Sequence, residues 1–519
     1  MKKPFFLTAI IIVLTAALLS SCTFSEFFTH SVLEEPDGAG GQETPVSEPR
    51  TLTIARYSGE QISPYGSKSV ANRGIVSLCY SALIELDSSL NAVAQICDSY
   101  EIIGNRAVFY LNESALFSDG SHITASDCVY SFARASAENS VYRNRFSVIS
   151  GYEETDTYVF TVRFTSDSIY NVNLVSIPII KAGSDVKTIP VGSGPYVFNS
   201  DEGGMYLTAN RFAAKEPETK RIDLLAFGNS EELLYNVNYG NVHLAYADLS
   251  EGSSSFRGTV EIKDFTTNNL LFAVVNRNKE YFASSDSVKG ITYALDRDGI
   301  VKNILSSSSR SVWYPFNPDW SVTKEADLNT NIYSSTTAHD YFNAASLGFS
   351  GTQRVWNKQP LELVILVNQE SVIKTEIAEY IAENLKSFGF GAVVKTLPWD
   401  EMTAAVIAGE YDIFIGEMNL FPNMDITSVM TNELVASARI TENENPETAY
   451  SEEFLTAVSD FYAGNTDMRT FLSVFQEELP FIPLYFSGGA LAINRNISGT
   501  FSPGCFNLFS SPETWVLEQ

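Results

Sequence analysis

Four histidines (His30, His122, His243 and His339) and five cysteines (Cys22, Cys79, Cys97, Cys128 and Cys505) are the side chains best suited to ligate a metal or act as nucleophiles in this chain of 519 residues. Metal binding by imidazole and thiolate needs ligands at short, repeated spacings such as C-x2-C. The histidines are scattered and the cysteines fit no such pattern, so neither a metal nor a cofactor is expected. Hydrolysis or phosphate handling would show a G-x-S-x-G elbow, an H-E-x-x-H helix or a G-x-x-x-x-G-K-[ST] loop, and none occurs. The run Val191-Gly192-Ser193-Gly194-Pro195-Tyr196 is Gly-rich. It lacks the spacing and the following helix of a dinucleotide site, and reads as a tight turn entering a strand. Acidic pairs such as Glu231-Glu232 and Glu477-Glu478 are unremarkable among 62 Asp and Glu. A glycosidase would need two carboxylates at a set distance, which no spacing in sequence defines. No residue nominates itself as catalytic.

One cysteine stands apart. Met1-Lys2-Lys3 is followed by an apolar run, Phe5–Leu19, and then by Leu19-Ser20-Ser21-Cys22. A basic flank, an apolar core and small residues at a boundary describe an export signal over residues 1–21. The run is shorter than the roughly 20 residues a membrane-spanning helix needs. The small pair directly before Cys22 resembles the bacterial lipobox, in which that cysteine is lipidated and becomes the mature N-terminus. Residues 22–50, with Pro36, Gly38, Gly40, Gly41, Pro45 and Pro49, then read as a flexible acidic tether with a reach of roughly 30 Å. The other four cysteines sit among apolar residues and read as buried small hydrophobes. An exported chain also permits disulfides, and sequence does not choose among the pairings.

With 34 Lys and Arg the formal net charge is −28, which repels phosphate backbones and anionic headgroups. Nucleic acid is therefore excluded as a partner. An apolar share of 45% with 12% aromatics supplies large cores. From Thr51 onward strand and helix signals alternate without a repeat, and the serine run Ser306–Ser309 is no more than a loop. Thr51–Ala55 alternates as a strand and residues 70–83 carry helical spacing. Segments 100–112, 156–164 and 195–208 read as short antiparallel strands. The clearest unit is 361–416: strand Leu361–Val367, a helix over 371–388 stopped by Gly389, strand Ala392–Leu397, a helix over Asp400–Ala408 stopped by Gly409, and strand Tyr411–Gly416. That succession predicts a parallel α/β unit, whose ligands sit beyond the carboxyl ends of its strands.

Several segments, in order, resemble the solute-binding proteins of ABC importers, family 5. They are Tyr80–Asp87, Asn91–Tyr100, Phe117–Ser131 (the most specific, with Asp119-Gly120, Thr124-Ala125 and Asp127), Val191–Phe198, Leu270–Asn276, Val288–Val301 with Ala294-Leu295-Asp296-Arg297, Gly409–Asp412 and Glu478–Tyr485. Most of these residues read singly as turns, caps and strand ends. The resemblance implies an α/β fold of two lobes, periplasmic-binding-protein-like (type II, cluster C), with an extra β-rich subdomain in lobe 1. Lobe 1 would comprise residues 51–268 plus 489–519, with the subdomain near 80–180, and lobe 2 residues 269–488. Crossings near Asn269 and Gly488 would form the hinge. It further implies a monomeric, non-enzymatic, lipid-anchored binding protein outside the cytoplasm. The anchor would lie in the outer leaflet of a single-membrane bacterium, or else face a periplasm. Its partners would be permease subunits, with ATPase subunits on the cytoplasmic side.

In peptide-binding relatives an acidic residue after the "yD" motif meets the peptide ammonium, and a Trp lines a side-chain pocket. Here the segment is Gly416-Glu417-Met418-Asn419-Leu420-Phe421-Pro422-Asn423-Met424-Asp425, with Met418 at the Trp position and Phe421 at the acidic one. The ammonium partner is missing unless Glu417 or Asp425 replaces it, and such a charged hydrogen bond is worth roughly 1.5–3 kcal/mol. Met418 and Phe421, with Asn419 between them, suggest an adaptable apolar wall. Position alone adds Tyr57 and Ser58 at the end of the first strand, and Asn269. A peptide is the expected ligand. The alternatives are a sugar, an opine-like compound, a metal chelate or haem, or a sensor or chaperone role without transport.

Overall fold

The computed structural model describes residues 51–186, 189–249, 256, 259–305, 309–329, 331–439 and 449–518. The export signal, Cys22, the tether and most of the serine run lie outside them. Among the described residues no helix is long and apolar enough to cross a membrane.

The first strand, β1 (Leu52–Tyr57), buries Leu52, Ile54 and Ala55, and the helix Val70–Cys79 follows with Ser69 as its cap. The sequence spacing predicts a longer helix, to residue 83. It stops at Cys79 because the Gly-rich turn is packed against that end. The Gly194 N–H donates to the Cys79 carbonyl at 3.0 Å, and a Cβ on Gly192 would lie 2.3 Å from the same oxygen. Only glycine permits that approach.

Four strands then form a separate antiparallel sheet in the order β2 (Cys97–Ile103), β3 (Arg106–Leu111), β5 (Val159–Phe164), β4 (Ile149–Asp156). The helix Ala125–Ala135 packs on it, opened by a capping box between Thr124 and Asp127. Phe109, Phe132, Phe160 and Val162 fill the space between.

Apart from a few short ribbons, the other strands build one 11-stranded mixed sheet. In chain order they are β1, β6 (Tyr196–Asp201), β7 (Gly204–Ala209), β8 (Arg221–Phe227), β9 (Leu244–Asp248), β10 (Val260–Val275), the short piece Arg310–Ser311, β11 (Glu362–Asn368), β12 (Gly391–Leu397), β13 (Ile413–Asn419) and β14 (Ile482–Asn494). The order across the sheet is β12-β11-β13-β10-β14-β9-β1-β8-β7-β6, with Arg310–Ser311 on β14. The strands expected over 195–208 are therefore an edge hairpin of this large sheet, and only those over 100–112 and 156–164 belong to the smaller one.

β11 runs parallel to β12 and β13, and β1 parallel to β8 and β9. The expected parallel unit is present, with Gly389 (φ +90°) and Gly409 (φ +69°) ending its two helices. β10 and β14 run antiparallel through the middle, and every residue of β14 is buried. Their ladder breaks between Thr266 and Leu270, which face Gly488 and Phe486. Side chains bond backbone groups around the break. Asn317 Nδ2 donates to the Thr267 carbonyl (3.0 Å), Asn268 Nδ2 to the Leu420 carbonyl (2.9 Å) and Thr267 Oγ1 to the Ser487 carbonyl (2.9 Å).

Motif residues meet in this frame. Asp412 accepts from the Val364 N–H at 2.8 Å and from the Tyr281 hydroxyl, and Asp296 caps the helix Arg297–Asn303 through the Gly299 N–H. Cys79, Cys97 and Cys128 are buried and Cys505 half-buried, and all four thiols are free. Burial pushes the Cys97 thiol up to about 11.

Candidate ligand-binding site

A cavity of about 670 Å³ lies between the turn Arg143–Ser147 and the end of β13 with the stretch that follows it. Its volume is in the range of small-molecule sites. One wall is Arg143, Asn144, Phe146 and Ser147; the other is Met418, Asn419, Phe421, Ser428, Thr431 and Asn432.

The first wall is held by its own neighbours. Arg145 Nη1 donates to the carbonyls of Leu174 (3.0 Å) and Ser176 (3.1 Å) and to Ser176 Oγ. Phe146 packs edge-on to Phe132 and Tyr152, with ring centroids 6.1 and 6.2 Å away. Arg145 also lies 4.8 Å over the Tyr142 ring. Its guanidinium is pushed down to about 10, chiefly by burial and further by the neighbouring charge of Arg73.

The second wall begins inside a strand. β13 runs on to Asn419, three residues beyond the expected end at Gly416, because β10 pairs with it antiparallel from Val275 to Asn269. Phe421 then starts a turn in which the Met424 N–H donates to its carbonyl, with Met424 at φ +56°. The turn is fixed from the smaller sheet's side: Asn173 Nδ2 donates to the Pro422 carbonyl at 3.0 Å, and fully buried Asn423 donates to Asn171 Oδ1 at 2.9 Å. Ser428 Oγ lies 3.8 Å from Met418 Sδ.

Of the residues singled out by sequence, the cavity brings together Met418, Asn419 and Phe421. Glu417 and Asn269 are partners of one another: Asn269 Nδ2 donates to Glu417 Oε1, and Lys374 Nζ pairs with Glu417 Oε2. The Glu417 charge is thus met within the protein. Asp425 accepts from the Thr427 N–H at 2.8 Å, at the entry to the short helix Thr427–Met430, and burial raises its carboxyl above the usual range. Tyr57 and Ser58 lie elsewhere, at the end of β1. Ser58 donates twice to the Phe227 carbonyl and the Tyr57 ring sits 6.0 Å from Phe227.

The wall Arg143–Ser147 and the residues Ser428, Thr431 and Asn432 were not anticipated. A signal existed: Tyr142-Arg143-Asn144-Arg145-Phe146 places two arginines between aromatics in a strongly acidic chain.

Asp425→Asn separates a local cap from a ligand anchor. Asn keeps an oxygen to accept from Thr427 and removes a charge that burial disfavours. An acid whose folded pKa is raised costs stability progressively as pH rises from its unfolded to its folded value. The variant is therefore expected to melt at or above the wild-type temperature at pH 7, with ligand affinity changed less than about threefold. A tenfold loss of affinity at unchanged stability would make Asp425 a ligand contact.

The family model for bacterial extracellular solute-binding proteins, family 5 (middle region), matches residues 94–434. The oligopeptide-binding protein AppA of Bacillus subtilis (strain 168) is 19% identical, with 99% of each chain covered. Two solved structures share the fold. The murein tripeptide-binding protein MppA in its unliganded open form has a TM-score of 0.74 at 15% identity, covering 91% of this chain and 98% of that one. NikZ of Campylobacter jejuni, in complex with Ni(L-His), has a TM-score of 0.61 at 17% identity, covering 90% and 99%. The α/β architecture, the large mixed sheet and these matches agree, and the chain belongs to the family 5 extracellular solute-binding proteins.

Proposed function

We propose that this protein captures a peptide in the cavity between Arg143–Ser147 and Met418–Asn432 and delivers it to the permease of an ABC importer. The observation that carries the reading is the cavity itself. Met418 and Phe421, the residues at positions that line the cleft of peptide-binding relatives, form its wall together with Asn419. The family match and the oligopeptide-binding relative support the solute class.

In this reading residues 51–268 plus 489–519 form lobe 1, with the subdomain near 80–180, and residues 269–488 form lobe 2. The broken β10–β14 ladder at Thr266–Leu270 is the point of bending. Closure about it would bury the ligand and present both lobes to the permease. The export signal would direct the chain out of the cytoplasm, and lipidated Cys22 would hold the monomer at the outer face of the membrane, without catalysis. Two or more acyl chains give a stable anchor where one does not.

The reading is tested by titrating the purified chain with a peptide pool. Saturable binding is expected, and Phe421→Ala should weaken it about tenfold, the loss of part of one apolar contact. Equal affinity in wild type and variant, or no binding to the pool, would remove the cavity or the peptide from the account.

A further inference from the structure

The charge of the cavity runs opposite to that of the chain. Among the described residues that line it, Arg143 is the sole ionisable side chain. Arg143 is exposed and donates one hydrogen bond, from Nη1 to the Ser136 carbonyl at 3.1 Å, leaving most of its five N–H donors available. Arg145 follows two residues later in the same turn, and Arg73 is near enough to act on it electrostatically. None of the three forms an ion pair with a described carboxylate, in a chain of net charge −28. A ligand that supplies the counter-charge would offset the repulsion among them.

The nearby acids do not offset this. Glu417 is held between Lys374 and Asn269, and Asp425 is turned to the Thr427 N–H. A ligand ammonium would find no carboxylate among the described lining residues, whereas a ligand carboxylate would find a guanidinium fork, the geometry that suits it best. Asn144, Ser147, Asn419 and Thr431 surround it with neutral hydrogen-bonding groups.

We propose that Arg143 receives a carboxylate of the bound ligand, so that the site orients its ligand by an acidic end and not by an amine. The proposal rests on the peptide-capture reading above. In a peptide that carboxylate is the C-terminus or an Asp or Glu side chain, and the two sources are separable.

The test is isothermal titration of the full-length chain, wild type, Arg143→Met and Arg143→Lys, with four synthetic peptide pools. One has free termini, one is N-acetylated and one is C-terminally amidated, all three without Asp or Glu. The fourth is amidated and contains them. On the wild type, amidation without acidic side chains is expected to weaken binding about ten- to hundredfold, the loss of a charged hydrogen bond. N-acetylation should cost less than about threefold. Arg143→Met should bind free-acid and amidated pools alike, Arg143→Lys should restore part of the preference, and both should melt with the wild type. If the acidic amidated pool binds wild type well and Arg143→Met poorly, a side-chain carboxylate fills the role and the proposal holds. Equal binding of the free-acid pool and both amidated pools by the wild type, a preference that survives Arg143→Met, or a larger penalty from acetylation than from amidation would each overturn it while leaving peptide capture intact. If no pool binds the wild type, the capture reading fails and the proposal falls with it.

Discussion

Arg297→Met is expected to lower the free energy of unfolding by about 2–4 kcal/mol, a loss large enough to endanger a marginally stable protein. Arg297 is 3% exposed and bridges two motif segments. Its Nε donates to the Pro483 carbonyl on β14 at 2.7 Å. Its Nη1 donates to the carbonyls of Thr292 (3.0 Å) and Leu295 (3.3 Å), at the end of the helix Ser285–Ala294, where carbonyls have no intrahelical partner. Met fills similar volume and removes a desolvated charge, which offsets part of the loss. It takes the guanidinium donor from the Thr292 and Pro483 carbonyls, while the Leu295 carbonyl keeps the Arg297 N–H at 3.1 Å, and the loss of the two buried bonds dominates. Guanidinium unfolding should show a lower midpoint at unchanged slope, which identifies a change in stability and not in compactness. A midpoint within error of wild type would mean that the contact between the Ala294–Arg297 and Glu478–Tyr485 segments is not what Arg297 maintains.

The second large effect concerns binding. Asn419→Trp is expected to reduce peptide affinity more than a hundredfold while shifting the melting temperature by no more than a few degrees. Asn419 is exposed at the last position of β13, paired through the backbone with Asn269, and is among the residues that line the cavity. An indole there occupies ligand volume, and an obstructed site loses the contacts of the whole ligand and not of one group. The fold tolerates the change because Asn419 supplies no buried side-chain contact. Peptide titration and thermal unfolding of the same preparation separate the two outcomes. Retained affinity would place the ligand elsewhere, with the end of β1 at Tyr57 and Phe227 next to be examined.

The parallel unit was legible over 361–416 because its first strand is a nearly continuous apolar run and its helices carry regular spacing and stop at glycines that adopt positive φ. The end of β13 was not, since the alternation Glu417-Met418-Asn419 is too short to extend a strand past Gly416 by itself, and it is held in the sheet by β10, nearly 150 residues earlier. The same holds for the site. Met418, Asn419 and Phe421 follow from a motif and its local sequence. The facing wall, Arg143–Ser147, is a single short turn without periodicity. It becomes part of a site through long-range contacts, such as that between Asn423 and Asn171, 252 residues apart. The pairing of Glu417 with Lys374 and Asn269 was hidden for the same reason. Sequence shows that a carboxylate is present, while only the sheet order brings its partners to it.

Native mass spectrometry of the purified chain with a mixed peptide pool, wild type beside Asn419→Trp, tests the account most directly. Adducts with a spread of peptide masses on the wild type, absent from the variant at equal folded population, are predicted. No peptide adduct on the wild type, or the same adducts on both proteins, would contradict capture of a peptide in this cavity.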